Sequence, residues 1–293
     1  MTTNLAGAYI TGLFGKSDLL APTQSELLAS RMNDYIFWSV HVNPDGNLHY
    51  NDVPLVTNGV LDPTTGAGIG GIISAARKAG LAQNVWFSVG SGGVSDFQNI
   101  QSILNRGGAN EANLFANFQV LMDLGADGFD LDYEEYLTEP AGLISRFTIE
   151  LNQRMGAKLT YCPYYGVSMW IDCLKANMTE LGSQPVVGFN LQCYAGGASN
   201  DPRIWVQEIH RAGSSIGVSN AQAFVRPGMA VAGSPSAPAL TPSQMTAQLN
   251  TWQSPGGWIW NTANVLNSQS KTGYSITDYA SAMLAAAPVV EKA

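Results

Sequence analysis

The chain has 293 residues, enough for a sizeable core without a disulfide or metal staple. Hydrophobic residues make up 45%, which excludes disorder, while charged residues are only 12%, so Ser, Thr, Asn, Gln and Gly must build the polar surface. The net charge of −8 repels phosphate backbones, no basic run suits an anionic membrane, and no apolar stretch reaches the roughly 18 residues of a membrane helix, so neither nucleic acid nor membrane is expected as a partner.

The chain opens Met1-Thr-Thr-Asn-Leu-Ala-Gly, without the basic and apolar regions of a signal peptide. The charge-poor, Asn/Ser/Gly-rich composition nonetheless leans towards a secreted protein. A short apolar run at 8–13 predicts a first strand. Thr23-Gln24-Ser25-Glu26 matches a capping box, predicting a helix from there to about residue 33. Residues 34–40, rich in aromatic and β-branched types, predict strand two. His41 and His49 flank the turn 43–47, which predicts a hairpin tip. Residues 66–78 predict a helix and 84–89 strand three. Two helical patterns follow at 96–105 and 111–124, then strand four at 126–132. An amphipathic stretch at 139–155, strand five at 158–162 and a helix at 168–181 come next. Strand six is expected at 185–193, a helix at 202–211 and strand seven at 225–231. A helix at 241–252, capped by Thr241, precedes strand eight at 257–260, and a last helix covers 276–287.

Eight strands alternating with helices imply parallel pairing, and eight such units suit a closed (β/α)8 TIM barrel. The competitor is a doubly wound open sheet. It would want a phosphate-type glycine fingerprint after strand one, which Thr11-Gly12-Leu13-Phe14-Gly15-Lys16 does not supply. No repeat or linker interrupts the chain, so 1–293 reads as a single α/β domain. Only residues 233–242 separate strand seven from the next helix, which leaves no room for an inserted α+β domain. Cys162, Cys173 and Cys193 lack CxxC spacing and read as small buried hydrophobes. With His41, His49 and His210 scattered, a histidine metal site or Ser-His-Asp triad is poorly supplied, and no metal or cofactor is expected.

The informative segment is Asp127-Gly128-Phe129-Asp130-Leu131-Asp132-Tyr133-Glu134. Strand side chains alternate, so Asp130, Asp132 and Glu134 share one face while Phe129, Leu131 and Tyr133 share the other. In a barrel the acids climb the interior, with Glu134 nearest the open end. Like charges in a low dielectric cannot all ionise, so at least one acid should hold its proton at neutral pH. A fold selected for stability alone would avoid this arrangement, which points to function. Two blander readings stand beside it: ligation of a hard cation, and Glu134 with Glu135 as solvated loop carboxylates.

This octapeptide resembles the DxxDxDxE signature of glycoside hydrolase family 18, the chitinases and related endo-β-N-acetylglucosaminidases. The resemblance implies that Glu134 is the catalytic acid. Asp132 would orient the substrate's acetamido group, Asp130 would be the deeper partner sharing a proton with it, and Asp127 a structural hydrogen-bonder. The substrate's own acetamido oxygen would serve as nucleophile, with retained configuration. Asn190-Leu191-Gln192-Cys193-Tyr194 resembles the family's Gln/Met-x-Tyr pair, with the Tyr194 hydroxyl gripping the acetamido oxygen and Gln192 binding substrate. From the residues alone, Tyr194 also fits a hydrogen-bonded core tyrosine. Trp260 aligns with the family's floor tryptophan, and Trp258 shares its face by parity. Phe87-Ser88-Val89-Gly90-Ser91 resembles the SxGG motif through Ser88 and Gly90 but has Ser91 where a glycine is usual. Tyr164 and Tyr165 follow strand five and could reach the cleft; Trp38 and Trp170 are further aromatic candidates.

The resemblance implies a monomeric hydrolase of β-1,4-linked N-acetylglucosamine, first of all an endo-acting chitinase with an open, shallow cleft. An endo-β-N-acetylglucosaminidase cutting N-glycan chitobiose cores is the alternative in the same class. A chitin-binding, lectin-like barrel without catalysis is the alternative of another class, and such relatives usually lack the acid that Glu134 supplies.

Overall fold

The structure is a computed structural model and describes residues 4–286. The first three residues, on which part of the leader reading rests, and Ala287, the expected end of the last helix, lie outside the described residues.

Runs rich in aromatic and β-branched residues become strands buried on both faces, as a sheet covered by helices requires. They are β1 (Leu5–Ile10), β2 (Asp34–Val42), β3 (Asn84–Val89), β4 (Gly128–Leu131), β5 (Lys158–Tyr161), β6 (Val186–Gln192), β7 (Val225–Val231) and β8 (Gly256–Trp260). Each pairs in parallel with the next, and β8 returns to β1. The ring is therefore closed, and the open doubly wound sheet is excluded. All strands point their C-terminal ends at one mouth. At the opposite end Asp34 accepts the indole N–H of Trp86 at 2.9 Å and lies 3.8 Å from Arg226.

The short hairpin forms as expected. The end of β2 pairs antiparallel with Leu48–Tyr50, and His41 sits opposite His49. The chain then continues into two further short strands, Val53–Thr57 and Val60–Leu61, around Asn58-Gly59. Both turn residues have positive φ (51° and 76°), the conformation a two-residue Asn-Gly hairpin needs, so this hairpin was readable and was missed.

Three boundaries differ from expectation, each for a local reason. β1 starts at Leu5, because residues 5–8 pair with β8, and the chain leaves the sheet after Ile10. The first helix is Leu20–Ala29, begun from Leu19 without a side-chain cap; Thr23 lies buried inside it, so the expected capping box does not form. The second helix, Pro63–Lys78, starts earlier than expected because Asp62 accepts the N–H groups of Thr64 and Thr65. A helix at Thr262–Thr272, capped by Asn261, was not foreseen. The short helix Ala221–Phe224 was not foreseen either, while the expected Thr241–Gln244 capping box of Pro242–Trp252 forms.

Candidate active site

The acidic strand is β4 and its continuation. Phe129 faces outward and packs edge-on against Phe118 of the helix Ala109–Asp123, with ring centroids 4.8 Å apart. Tyr133 does the same against Phe97 at 5.1 Å. The alternate residues therefore enter the barrel. Asp127, at the strand's foot, takes the backbone N–H of Val85 and a salt bridge from Arg77.

Asp130 is fully buried and saturated. Its Oδ2 accepts from the hydroxyls of Tyr9 (2.8 Å) and Ser88 (2.7 Å); its Oδ1 accepts from Thr160 (2.6 Å) and the Asn190 amide (2.9 Å). Ser88 and Thr160 stand in register with Asp130 on β3 and β5, which is why all three point inward at one level. Burial pushes the Asp130 carboxyl up, and the donors oppose that shift.

One layer higher, Asp132 accepts the Trp38 indole N–H at 3.0 Å on Oδ2 and the Gln192 amide at 3.2 Å on Oδ1. The same amide nitrogen donates to Glu134 Oε1 at 2.9 Å. One side chain thus ties the two upper carboxylates together. Burial pushes the Asp132 carboxyl well up, and the nearby charges of Glu134 and then Asp130 push it further. The side chain of Asp132 takes its hydrogen bonds from Trp38 and Gln192. Glu134 itself is half-buried at the mouth.

The strand stays close to β3 because Gly90 has no side chain. Its φ is +98°, and a Cβ there would lie 2.4 Å from the Asp132 carbonyl oxygen. Ser91, the departure from the family motif, lines the cleft beside Gly92, so the change leaves the approach at Gly90 intact.

A cleft of about 350 Å3 opens above the acids, lined by Asp132, Glu134, Gln192, Tyr194, Trp260 and Tyr164 among others. Tyr194 is 5% exposed, and its hydroxyl makes no hydrogen bond to the described residues; it is not the hydrogen-bonded core tyrosine. Its ring stacks near-parallel to Trp260 (14°, centroids 5.9 Å), and Trp38 meets Trp260 edge-on at 4.8 Å. The cleft is thus polar on the β4 and β6 side and aromatic on the β8 and β2 side.

Two expected substrate contacts lie elsewhere. Trp258 is fully buried, packed 4.4 Å from Tyr9 with its N–H on the Arg226 carbonyl, and does not line the cleft. It shares the face of Trp260 but stands two residues nearer the closed end, one layer too deep. Ser88 is likewise fully buried and spends its hydroxyl on Asp130. Trp170 is buried against Tyr161, and Tyr165 is exposed beyond Tyr164.

Sequence reasoning passed over Tyr9, Thr160 and Asn190 as site residues, and Cys162 as a cleft residue. Tyr9, Thr160 and Asn190 occupy inward positions on neighbouring strands, a parity signal that could have found them. Glu135 is not a solvated loop carboxylate. It is 6% exposed and accepts the N–H groups of Phe97 and Gln98 at 2.7 and 3.1 Å. Among the described residues no group of His, Cys, Asp and Glu side chains has the arrangement to hold a metal ion.

No protein-family model and no curated protein matches this sequence. Solved structures do match its fold. A fungal endo-β-N-acetylglucosaminidase of glycosyl hydrolase family 18 aligns with a TM-score of 0.66 and 19% identity, over 96% of each chain. A family 18 chitinase from Cycas revoluta, solved with allosamidin, aligns at 0.62 and 11% identity over 96% of this chain and 99% of that one. A family 18 chitinase from Flavobacterium johnsoniae aligns at 0.61 and 14% identity, over 97% and 94%. The likeness is one of fold, and it spans the whole barrel.

Proposed function

We propose that this chain is a retaining glycoside hydrolase of the family 18 type that cuts the β-1,4 linkage between N-acetylglucosamine units, acting inside chitin chains or oligomers. The observation that carries the reading is the convergence of Asp130, Asp132 and Glu134 at graded depth under one cleft, with Gln192 bridging the upper two.

The chemistry follows from that grading. Glu134, at the mouth, protonates the glycosidic oxygen as the bond to the anomeric carbon breaks. The substrate's acetamido carbonyl oxygen attacks that carbon from the other side and closes an oxazolinium ring, so no protein nucleophile is required. Asp132 accepts the acetamido N–H and offsets the positive charge that grows there. The unpartnered Tyr194 hydroxyl donates to the acetamido oxygen and aims it. Burial and the neighbouring carboxylates favour the protonated form of Asp132 before substrate arrives. A substrate N–H arriving at Asp132 favours its carboxylate form. Water then attacks the anomeric carbon and gives a proton to Glu134, while the bond from that carbon to the acetamido oxygen breaks and the ring reopens; two inversions leave the configuration retained. Asp130, saturated by four donors, anchors the layer beneath. Trp260 presents an indole face to the apolar side of the pyranose.

The same linkage occurs in the chitobiose core of N-glycans, so the substrates must be compared directly. Mass spectrometry of products from chitin oligomers beside a high-mannose glycoprotein, with wild type and Glu134→Gln, tests the proposal. Wild type releases shorter N-acetylglucosamine oligomers. Glu134→Gln loses about 100- to 10,000-fold in rate, the usual range for a general acid, while still binding chitin oligomers. Binding without turnover by the wild type would make the chain a lectin-like barrel; loss of binding in the variant would make Glu134 structural.

A further inference from the structure

Asp132 is gripped from two opposite walls. The Trp38 indole N–H of β2 reaches its Oδ2 at 3.0 Å, and the Gln192 amide of β6 reaches its Oδ1 at 3.2 Å. Along the closed ring β2 and β6 stand diametrically across the barrel, with β4 midway between them. A carboxyl held on one oxygen from each side cannot turn about its side-chain bonds without breaking one of the two contacts. The Gln192 amide nitrogen is shared with Glu134, whereas Trp38 has a single N–H and spends it on Asp132.

Trp38 is itself fixed. Its ring meets Trp260 edge-on at 90°, with centroids 4.8 Å apart. Its carbonyl oxygen accepts the Asn51 amide at 3.2 Å, which ties this part of β2 to the end of the hairpin. An apolar wall needs only the area of a ring, which phenylalanine would also supply. The indole adds a directed donor that cannot accept, so it suits an oxygen without a proton. Burial, then Glu134 and Asp130, push the Asp132 carboxyl up, and the Trp38 N–H opposes them. The other titratable groups around Asp132 are the Tyr9 and Tyr194 hydroxyls and the Cys162 thiol, all pushed well up by burial and therefore neutral. None of these groups is a cation, so the carboxylate form depends on neutral donors.

We infer that Trp38 is a positioning residue of the cleft: its indole N–H fixes Asp132 between opposite walls and favours the carboxylate, the form that accepts a substrate acetamido N–H. The catalytic part of this inference rests on the proposed reading of the cleft, whereas the tie itself requires no turnover.

Nuclear magnetic resonance of the isotope-labelled full chain reads the tie directly. The indole N–H signal of Trp38, identified by its loss in Trp38→Phe, moves with pH as Asp132 titrates and stays still over the same range in Asp132→Asn. The Asp132 titration midpoint rises by about 1–2 pH units in Trp38→Phe, the scale of one hydrogen bond to a charged group. On chitotetraose, kcat of that variant falls about 10- to 100-fold with KM little changed. Benzothienylalanine at position 38 keeps both rings and puts sulfur in place of the N–H. It gives the same shift and the same loss, and carries the test if the phenylalanine variant folds poorly. A Trp38 signal that ignores the Asp132 titration, or an unchanged midpoint in both variants, overturns the tie. A raised midpoint with full kcat overturns the positioning role. No hydrolysis of chitotetraose by wild type overturns the reading of the cleft, while the titration still decides the tie.

Discussion

Asp132 is where burial and crowding meet, and it makes the protein's stability depend on pH. An aspartate in an unfolded chain titrates near about 3.9, whereas burial and the neighbouring Glu134 push Asp132 well up in the fold. Between those two values the native protein holds a proton that the unfolded chain has released. Stability therefore falls as pH rises through that window, and is unaffected by this group below the unfolded value. Asp132→Asn removes the penalty of a buried, crowded charge and keeps the shape. Its thermal midpoint is expected to exceed that of wild type at pH 8 and to match it near pH 3, while turnover is lost. A variant less stable than wild type at pH 8 would mean that the donors from Trp38 and Gln192 outweigh the crowding. At this scale the sequence was legible in one respect and blind in another. Period-two alternation correctly sorted Asp130, Asp132 and Glu134 from Phe129, Leu131 and Tyr133. Alternation says nothing of depth, however, so Trp258 and Ser88 were placed in the cleft when they lie a layer below it.

The acidic loop is held by a contact between elements that are distant in sequence. Ser95, at the start of the helix Asp96–Arg106, makes no side-chain cap. Glu135 caps that helix instead, taking the N–H groups of Phe97 and Gln98 from across the barrel rim. A carboxylate on helix N–H groups is a favourable charge on the positive end of the helix dipole. It also fixes the backbone one residue beyond Glu134. Glu135→Ala leaves two N–H groups without their partner and is expected to cost about 1–3 kcal/mol of stability. The catalytic consequence is separate: kcat should fall several-fold with KM little changed, because Glu134 loses its aim and the binding walls are untouched. Denaturant unfolding and steady-state kinetics on chitotetraose measure both. A destabilised variant with full kcat would show that Glu134 does not depend on the tie. A cap donated by a remote loop leaves no local motif, which is why Glu135 read as solvated. The converse error occurred at Thr23-Gln24-Ser25-Glu26, where a local motif was present but the helix had already begun at Leu20.

Across the whole molecule, the alternation of strand and helix was sufficient to foresee the barrel, because eight parallel units covered by helices have few other ways to bury both faces of the sheet. The depth of the cleft's walls is also partly legible, since it depends on loop length. Between β7 and the helix Pro242–Trp252 the chain has room only for the strand Ala239–Leu240, which pairs back onto β7. No second layer rises there beside the cleft. The cleft meets a further cavity past Trp38 and another past Tyr164, at opposite rims of the mouth, so it is open at both ends. A polymer can settle into such a groove anywhere along its length and need not be threaded from a terminus. On the proposed reading, with little wall to hold the product, each cut would be followed by release rather than by sliding to the next linkage. Time-resolved mass spectrometry of long, soluble chitin chains should therefore show a spread of oligomer lengths from the first minutes, with short products accumulating only later. Disaccharide as the dominant product at the earliest times would require walls that grip the chain between cuts, and would sink the open-groove account.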